Sequence, residues 1–591
     1  MDNTANPTVA SQEITLENPE LLSLKEHKQE ALNWQKRRHL DWTENYTLYR
    51  DKVIVNRFIQ RQSVNVPLMK TVIKTALKET DDPPLLVFEE LDNDKQKEIF
   101  FNEYWNLFSK EQKLVIKDLV DKKQEMLTGR TFKKLNVENG KPVVDIVDVQ
   151  DILITRYCDP TMIHTARYLV HQHIFVPLAT LEHNPNYDQE AIKRLKVFYA
   201  TARGLIKAEE NAKSLEMKNR RMELMGVTDV NNPVIGETYV ELNEHYLLQW
   251  DTDHNQEEYY LITTCDDMEI LAKKRLEEVV GKTTDHYWRT HNLFNSWADD
   301  IELTDIWSDG LADIVRTPNK IANMMVSQIV ENRTLRNYSM YFYDSSIEGY
   351  KPQTYDPMPF GWYPSPGDPN TTMKQVTIPD LGESIPEMQF VMNMAERAAS
   401  TPDLSQGVVN KKTMTKAEMQ AVLQEAQDRL RSMSKYYNDA WEEFGTMFIK
   451  LIEAQADNLV PVQIFKKGYK GTMFRVTVSP NDWKSKIGYR VKVMTKDEKD
   501  KEEKNAIEKL NAISPDFQTN KPFQDIRKKK ELAFAGLNPD EVKEVMDFEN
   551  QAAARALEAA KQQQTQQQQL PANAGVNGKT VNLPVPAQPM L

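Results

Sequence analysis

The sequence predicts an α+β fold, predominantly helical, with one very long helix. Three observations carry this. From Thr415 to Ala454 apolar residues recur at intervals of mostly three and four, and no proline lies between Pro402 and Pro461. Helical patterning also covers Glu26–Leu77 and Lys95–Met126. Between and after these blocks, residues 131–175 and 237–265 switch to the period-two alternation of strands.

Taken in chain order, residues 1–20 are polar and expected to be flexible. The first helical segment is punctuated by Trp34, Trp42, Tyr46 and Tyr49 and broken by Pro67. Lys95–Met126 sets Phe100, Phe101, Tyr104, Trp105, Phe108 and Leu114 at helical spacing, and Gly129 closes it. Thr131–Val137 and Pro142–Val149 flank Asn139-Gly140, the strongest short hairpin signal. Ile152–Tyr157 and Ala166–Phe175 continue the strand character around a turn at Asp159-Pro160. Residues 177–226 read as a long, very polar helix, in which Asp188–Met225 holds no proline and one glycine, Gly204. A small α/β insert is expected from about 236 to 308. Thr317 as cap and Pro318 in the first turn predict the next helix, with Ile321, Met325, Ile329 and Leu335 on its apolar side. Residues 338–380 read as strand and turn, and Ser384–Ala399 as a short helix. The pair Thr415 and Glu418 has the form of a capping box for the long helix. That helix would be about 60 Å long at 1.5 Å per residue, with Gly445 as a candidate bend. Val462–Val478 and Gly488–Met494 read as strands. The run Lys496–Lys504 opens charged C-terminal helices, the last starting at Asn538-Pro539, and the Gln-rich and Pro-rich tail is expected to be disordered.

Composition excludes several function classes. The 591 residues carry 75 Lys and Arg against 88 Asp and Glu, a formal net charge of −13. A module that grips duplex DNA by its phosphates carries a basic surplus, so tight sequence-reading DNA binding is not expected. Hydrophobic residues make up 40 % and the mean hydropathy is −0.63, which suits an elongated subunit completed by neighbours. Two distant cysteines, Cys158 and Cys265, can build neither a disulfide framework nor a zinc cluster. The first residues lack a basic region followed by an apolar run, so no signal peptide is expected, and no stretch reaches the length of a membrane span.

Catalytic motifs fail on inspection. Gly578-Lys579-Thr580 ends like a phosphate loop, but Asn573 stands where the first glycine is needed. Gly281-Lys282-Thr283 fails in the same way at Leu276. His164, His171 and His173 could suggest metal, the latter two on one face of a strand. A polar strand face accounts for them more simply. Asp299-Asp300 has no basic partner motif that would argue for nuclease chemistry. No catalytic residue, metal site or cofactor is therefore expected, and the chain is not expected to be an enzyme.

The order of these elements resembles that of tailed-bacteriophage portal (head–tail connector) proteins, closest to those of short-tailed phages. Local stretches agree: Trp42-Thr-Glu-Asn-Tyr46 with Arg50; Gly129-Arg130 before the hairpin; Asp159-Pro160 before His164; Gly310-Leu311-Ala312-Asp313 with Pro318-Asn319-Lys320; Thr401–Thr413 before Thr415-Lys-Ala-Glu418; and Val478-Ser-Pro480-Asn-Asp-Trp483 with Arg490-Val-Lys-Val493. The resemblance covers about residues 25–550. A glycine-rich turn expected after Val493 is replaced by Met494-Thr495-Lys496.

This resemblance implies a wing, stem, clip and crown architecture. Its parts are a flexible N-terminus at 1–20, an N-terminal wing part at 21–176, a first stem helix region at 177–235 and a clip-like α/β insert at 236–308. A second stem helix at 309–337, wing strands and a short helix at 338–400, and a tunnel loop at 401–413 follow. The long wing helix with its strand pair at 414–495, crown-like helices at 496–566 and a disordered tail at 567–591 complete it. The implied function is a homo-oligomeric ring, a dodecamer, at one capsid vertex. It would pass double-stranded DNA without sequence specificity during packaging and ejection. The implied partners are the major capsid and scaffold proteins, the terminase and a head–tail adaptor. The implied location is the virion, and the host cytoplasm during assembly. Gln406, Asn410, Lys411, Lys412 and Lys416 are the expected DNA-facing residues. The rival expectation is a cytosolic helical scaffold or adaptor without a DNA role; it accounts for the long helix and polarity but not for an α/β insert between helices. A terminase-like enzyme would need the phosphate loop or acidic metal cluster that was not found.

Overall fold

The computed structural model describes residues 18–51, 64–80, 84–92, 94–225, 238–337, several short stretches from 341 to 399, 416–467, 473–485, 488–494 and 521–534, with short helical pieces at 504–509 and 542–555. The chain is a mixed helix and sheet protein in two compact units. The larger comprises residues 1–462 and 477–495, and the smaller comprises 463–476 and 496–591.

Helix α1 (Pro19–Tyr49) starts where the Asn18 side chain accepts the Glu20 amide at 3.1 Å and Pro19 supplies a pre-set φ. Helix α2 (Leu68–Glu79) follows Pro67, and strand β1 (Leu85–Glu90) follows it. The predicted Lys95–Met126 block is two helices, α3 (Lys95–Glu111), capped by Asp94, and α4 (Leu114–Thr128). They part at Lys113, which adopts φ +51. Strands β2 (Thr131–Glu138) and β3 (Lys141–Val147) form the predicted hairpin, with Asn139 and Gly140 both at positive φ as the tight turn requires. Strands β4 (Ile152–Ile154) and β5 (Tyr168–Pro177) follow.

The polar helix expected over 177–226 is three pieces: α5 (Leu178–Glu182), α6 (Gln189–Tyr199) and α7 (Ala202–Met225). The breaks have local causes. Residues 183–188 turn through Asn184-Pro185 to the Asp188 cap of α6. At Gly204 an added Cβ would stand 2.2 Å from the Phe198 carbonyl oxygen, so α7 folds back closely on the end of α6.

Strands β6 (Tyr239–Asp251), β7 (Gln256–Cys265) and β8 (Glu269–Arg275) come next. They do not form a separate insert. The sheet order is β4-β5-β6-β7-β8, with β6 antiparallel to β5 from Tyr168↔Leu247 to Pro177↔Tyr239. Helix α1 covers one face through Leu24 and Ala31 against Leu153, Tyr168, Val170 and Ile262. Helices α5 and α6 pack elsewhere on the sheet, through Leu181, Ile192 and Leu195 against Val240, Leu242 and Leu271. After α8 (Leu276–Val280), strand β9 (Phe294–Trp297) pairs with β2. Segment 236–308 therefore completes both sheets of the 131–177 region. Cross-strand bonding is long-range, and no local window of sequence contains the partner.

Helix α9 (Leu311–Asn337) begins six residues earlier than its predicted cap, so Pro318 lies inside it. The N-terminus is satisfied instead by Asp313, whose carboxylate accepts the Gly310 amide at 2.9 Å. Strand β10 (Tyr341–Tyr343) pairs with β11 (Met373–Gln375), with α10 (Pro369–Thr372) just before β11. Helix α11 (Ser384–Ala398) follows, then α12 (Lys416–Ala454). Strands β12 (Val462–Lys467) and β13 (Met473–Val478) pair with each other. After α13 (Pro480–Trp483), capped by Ser479, β14 (Tyr489–Met494) pairs with β1, about 400 residues earlier in the chain. The resemblance implied a strand pair within 414–495 and gave β14 no partner so far back in the chain. Helix α14 (Lys521–Phe534) belongs to the smaller unit. The expected flexible N-terminus up to residue 17, the Thr415 cap, the Asn538-Pro539 helix start and the Gln-rich tail lie outside the described residues.

Candidate functional site

Four of the stretches that carry the resemblance, at 42–46, 129–130, 159–160 and 310–313, meet in one buried joint. Helix α4 ends at Gly129 with φ +78, leaving its last carbonyls without intrahelical partners. Side chains from elsewhere satisfy them. The Trp42 indole N–H donates to the Thr128 carbonyl at 2.9 Å, and the Asn45 amide donates to the Leu127 carbonyl at 2.9 Å. The Ser308 hydroxyl donates to the Gly129 carbonyl at 2.7 Å. Gly310 packs backbone to backbone here, since an added Cβ would lie 2.7 Å from the Gly129 nitrogen. Asn45 also reaches Asp313 at 3.1 Å, and Trp42 meets Trp307 edge-on at 5.1 Å. Next to Gly129, Arg130 donates to the Pro160 carbonyl at 2.7 Å and so holds the Asp159-Pro160 turn. Burial pulls its guanidinium down to about 10.

A second set of bonds ties α9 to the 64–69 segment. Asn319, Asn323 and Ser327 recur every four residues on one buried stripe. They accept the amides of Met69, Val66 and Val64 at 3.2, 2.7 and 3.0 Å. Polar residues at that spacing read as a solvated face in sequence, so this clamp was not foreseen.

The C-terminal half of α12 is anchored by a buried ionic cluster. Asp121 accepts from the Thr131 hydroxyl and the Trp297 indole, both at 2.8 Å, and pairs with Lys133 at 3.1 Å. Asp118 pairs with Lys122 at 3.0 Å and accepts from the Tyr437 hydroxyl. Burial raises the Asp118 carboxyl above its ordinary value, and raises Tyr437 as well. Lys133 lies over the Trp441 ring, 4.4 Å from its centre. Asn295 on β9 donates to the Ala440 carbonyl at 3.0 Å and to Glu443 at 2.8 Å.

The three histidines do not converge. His164 accepts the Asn292 amide at its Nδ1 and faces Glu443 from Nε2 at 2.9 Å, which leaves neither nitrogen for a metal. His171 lies half-buried 3.9 Å from Glu244, and desolvation lowers it. His173 bonds Asp151 at 3.0 Å. A register shift between His171 and Ile174, with His173 at φ +59, breaks the alternation that would have put His171 and His173 on one face. Asp299 is half-occupied by a structural role: its amide donates to the fully buried Glu125, and burial lifts its own carboxyl to about 6. Cys158 and Cys265 are buried free thiols, and burial lifts Cys158 to about 11.

Of the expected DNA-facing residues, Gln406, Asn410, Lys411 and Lys412 lie outside the described residues, as does the rejected Gly578-Lys579-Thr580 stretch of the tail. Lys416 is the first residue of α12. No helix among the described residues is long and apolar enough to cross a membrane. No protein-family model matches the chain, and no curated protein matches it.

Proposed function

We propose that the chain is a portal subunit: a ring-forming structural protein of a tailed phage that passes genomic DNA and docks the packaging motor and tail adaptor. The observation that carries this is the joint around Gly129 and Gly310. Stretches from 82 to 268 residues apart, most of them resembling portal segments, supply each other's hydrogen-bond partners there. A ring is further favoured by apolar side chains left exposed on α11 and α4. Phe390 is 64 % and Met394 55 % exposed, and Ile116 is 59 % and Val115 52 % exposed. Neighbouring copies in a closed ring would cover such faces. The net charge of −13 suits a conduit, because fewer phosphate contacts let DNA slide.

In this proposal Lys411, Lys412 and Lys416, repeated by every subunit, offer the DNA a sparse basic collar. The first test is negative-stain microscopy of the purified full-length chain, alone and with scaffold and capsid partners. The expected particle is a ring with a central hole. A filament, dimer or persistent monomer under all of these conditions returns the chain to the adaptor class. Within rings, replacing Lys411 and Lys412 by Ala is expected to leave assembly intact and lower retention of packaged DNA.

A further inference from the structure

The turn between β6 and β7 gathers three metal-ligating groups that nothing above uses. Asp251 ends β6, His254 sits in the turn, and Glu258 lies on β7. Their ligand atoms all fall within 4.8 Å of one another. His254 Nδ1 stands 2.7 Å from Asp251 Oδ2 and 3.0 Å from Glu258 Oε1. The imidazole carries at most one proton on Nδ1, so it serves both carboxylates poorly at once.

The carboxylates are deeply placed: the Asp251 side chain is 5 % exposed and that of Glu258 1 %. Two guanidinium groups approach them. Arg275 donates to Asp251 Oδ1 at 3.0 Å, beside the Tyr260 hydroxyl at 3.2 Å. Arg289 faces Glu258 Oε1 at 3.5 Å and is bonded more closely to Glu277, at 2.8 Å. Gln256 donates to the same Oε1 at 2.8 Å. All contacts to Glu258 therefore fall on one oxygen, while Oε2 is buried with no hydrogen-bond partner. An orphaned, fully buried carboxylate oxygen costs several kcal/mol unless a cation meets it. Asp251, Glu258 and Glu277 also outnumber Arg275 and Arg289 by one, before Asp253 at the rim is counted.

We propose that this turn binds one divalent transition ion of the zinc class, through the Asp251 carboxylate, His254 Nδ1 and the Glu258 carboxylate. One imidazole with two carboxylates is a donor set for zinc-class ions and not for calcium, which takes oxygen alone. Ligands about 2 Å from such an ion lie roughly 3 to 3.5 Å apart, so the three groups need only widen slightly. His254 is a third exposed, which leaves the ion an entry path and a position for water. The ion would cross-link the two strands of the β6–β7 hairpin at its tip. This holds whether or not the chain forms a ring.

The test is calorimetric titration of the chelator-treated full-length chain with Zn2+ alone, followed by Co2+ absorption to read the donor set. Stoichiometric binding is expected, with a visible Co2+ spectrum of nitrogen and oxygen ligands. His254→Ala and Glu258→Gln should each weaken binding by at least about tenfold, with an unchanged far-ultraviolet spectrum. Trp250, next to the site and 60 % exposed, gives a second readout by its fluorescence. Wild-type protein that takes up no Zn2+, or binding that both variants retain, overturns the proposal and leaves an arginine–carboxylate network.

Discussion

Asp121 shows how much can rest on one side chain. It is fully buried, and its two oxygens serve a hydroxyl, an indole and an ammonium from β2 and β9. Removing it strands Lys133 without its counter-charge in the interior. Asp121→Ala is expected to lower unfolding free energy by about 3–5 kcal/mol, read as a drop in the urea midpoint. Asp121→Asn, which keeps one acceptor, should cost less. His245 is the residue that ties stability to pH. Burial pulls it down to about 3, against the opposing pull of Asp267, and it sits between the Tyr168 and Thr264 hydroxyls at 2.8 and 2.9 Å. Its folded pKa is below its unfolded value of about 6.5, so the unfolded chain takes up the proton first. The contribution is fully present above about pH 6.5 and is lost as pH falls from there towards 3. By pH 5 the loss amounts to about 2 kcal/mol. The difference between urea unfolding at pH 7.5 and pH 5.0 should shrink by about that much in His245→Asn. An unchanged difference would assign the acid sensitivity to other groups.

At the scale of the element, α12 shows why a glycine sits within a long helix. The sequence suggests a bend at Gly445. The structure gives a different reason: an added Cβ would stand 2.7 Å from Val491 Cγ1 and 2.9 Å from Leu86 Cδ2. The β1–β14 pair therefore presses directly on the helix backbone. Around it Phe88, Phe101, Trp105, Phe108 and Phe448 pack tilted or edge-on, with ring centres 4.6 to 6.4 Å apart. Alanine would gain about 1 kcal/mol of helix propensity, but β-branched Val491 cannot swing aside and the strand pair must shift, costing about 1–3 kcal/mol. Gly445→Ala is thus expected to lower the melting temperature. A rise would mean that β1 and β14 yield easily. Helix α9 makes the complementary point: Asn319, Asn323 and Ser327 bury hydrogen-bonding groups because the 64–69 backbone needs acceptors.

For the whole molecule, the five-stranded sheet decides which pieces can be removed. Residues 240–300 look like a detachable insert in sequence, yet they supply most of β6, all of β7, β8 and β9, and their pairing to β5 and β2. Deleting them would expose the apolar residues under α1 and α6 and leave β5 as a bare edge. The expected outcome is an aggregated or degraded product and not a ring lacking one docking surface. A soluble deletion variant with native melting behaviour would show that the rest of the larger unit folds without its sheet. The charged C-terminal segment is a different case, because α14 belongs to the smaller compact unit.

Where a residue's own backbone preference or a local period decides the outcome, the sequence was sufficient. Asn139-Gly140 specified its turn through positive φ, Gly129 ended α4, and Trp105, Phe108, Tyr437, Trp441, Phe444 and Phe448 announced buried helix faces by spacing. The expected DNA-facing residues Gln406, Asn410, Lys411 and Lys412 lie outside what the structure describes. Only the tertiary structure decided that β14 belongs with β1, that β6 continues the β4–β5 sheet, that Pro318 lies inside α9, and that Asp121, Lys133 and Glu258 are buried. For the strand partners and the buried charges the physical reason is the same. Strand partners and the burial of a charge depend on groups far away in the chain that satisfy a hydrogen bond or cancel a charge, and a local window of sequence holds neither of them.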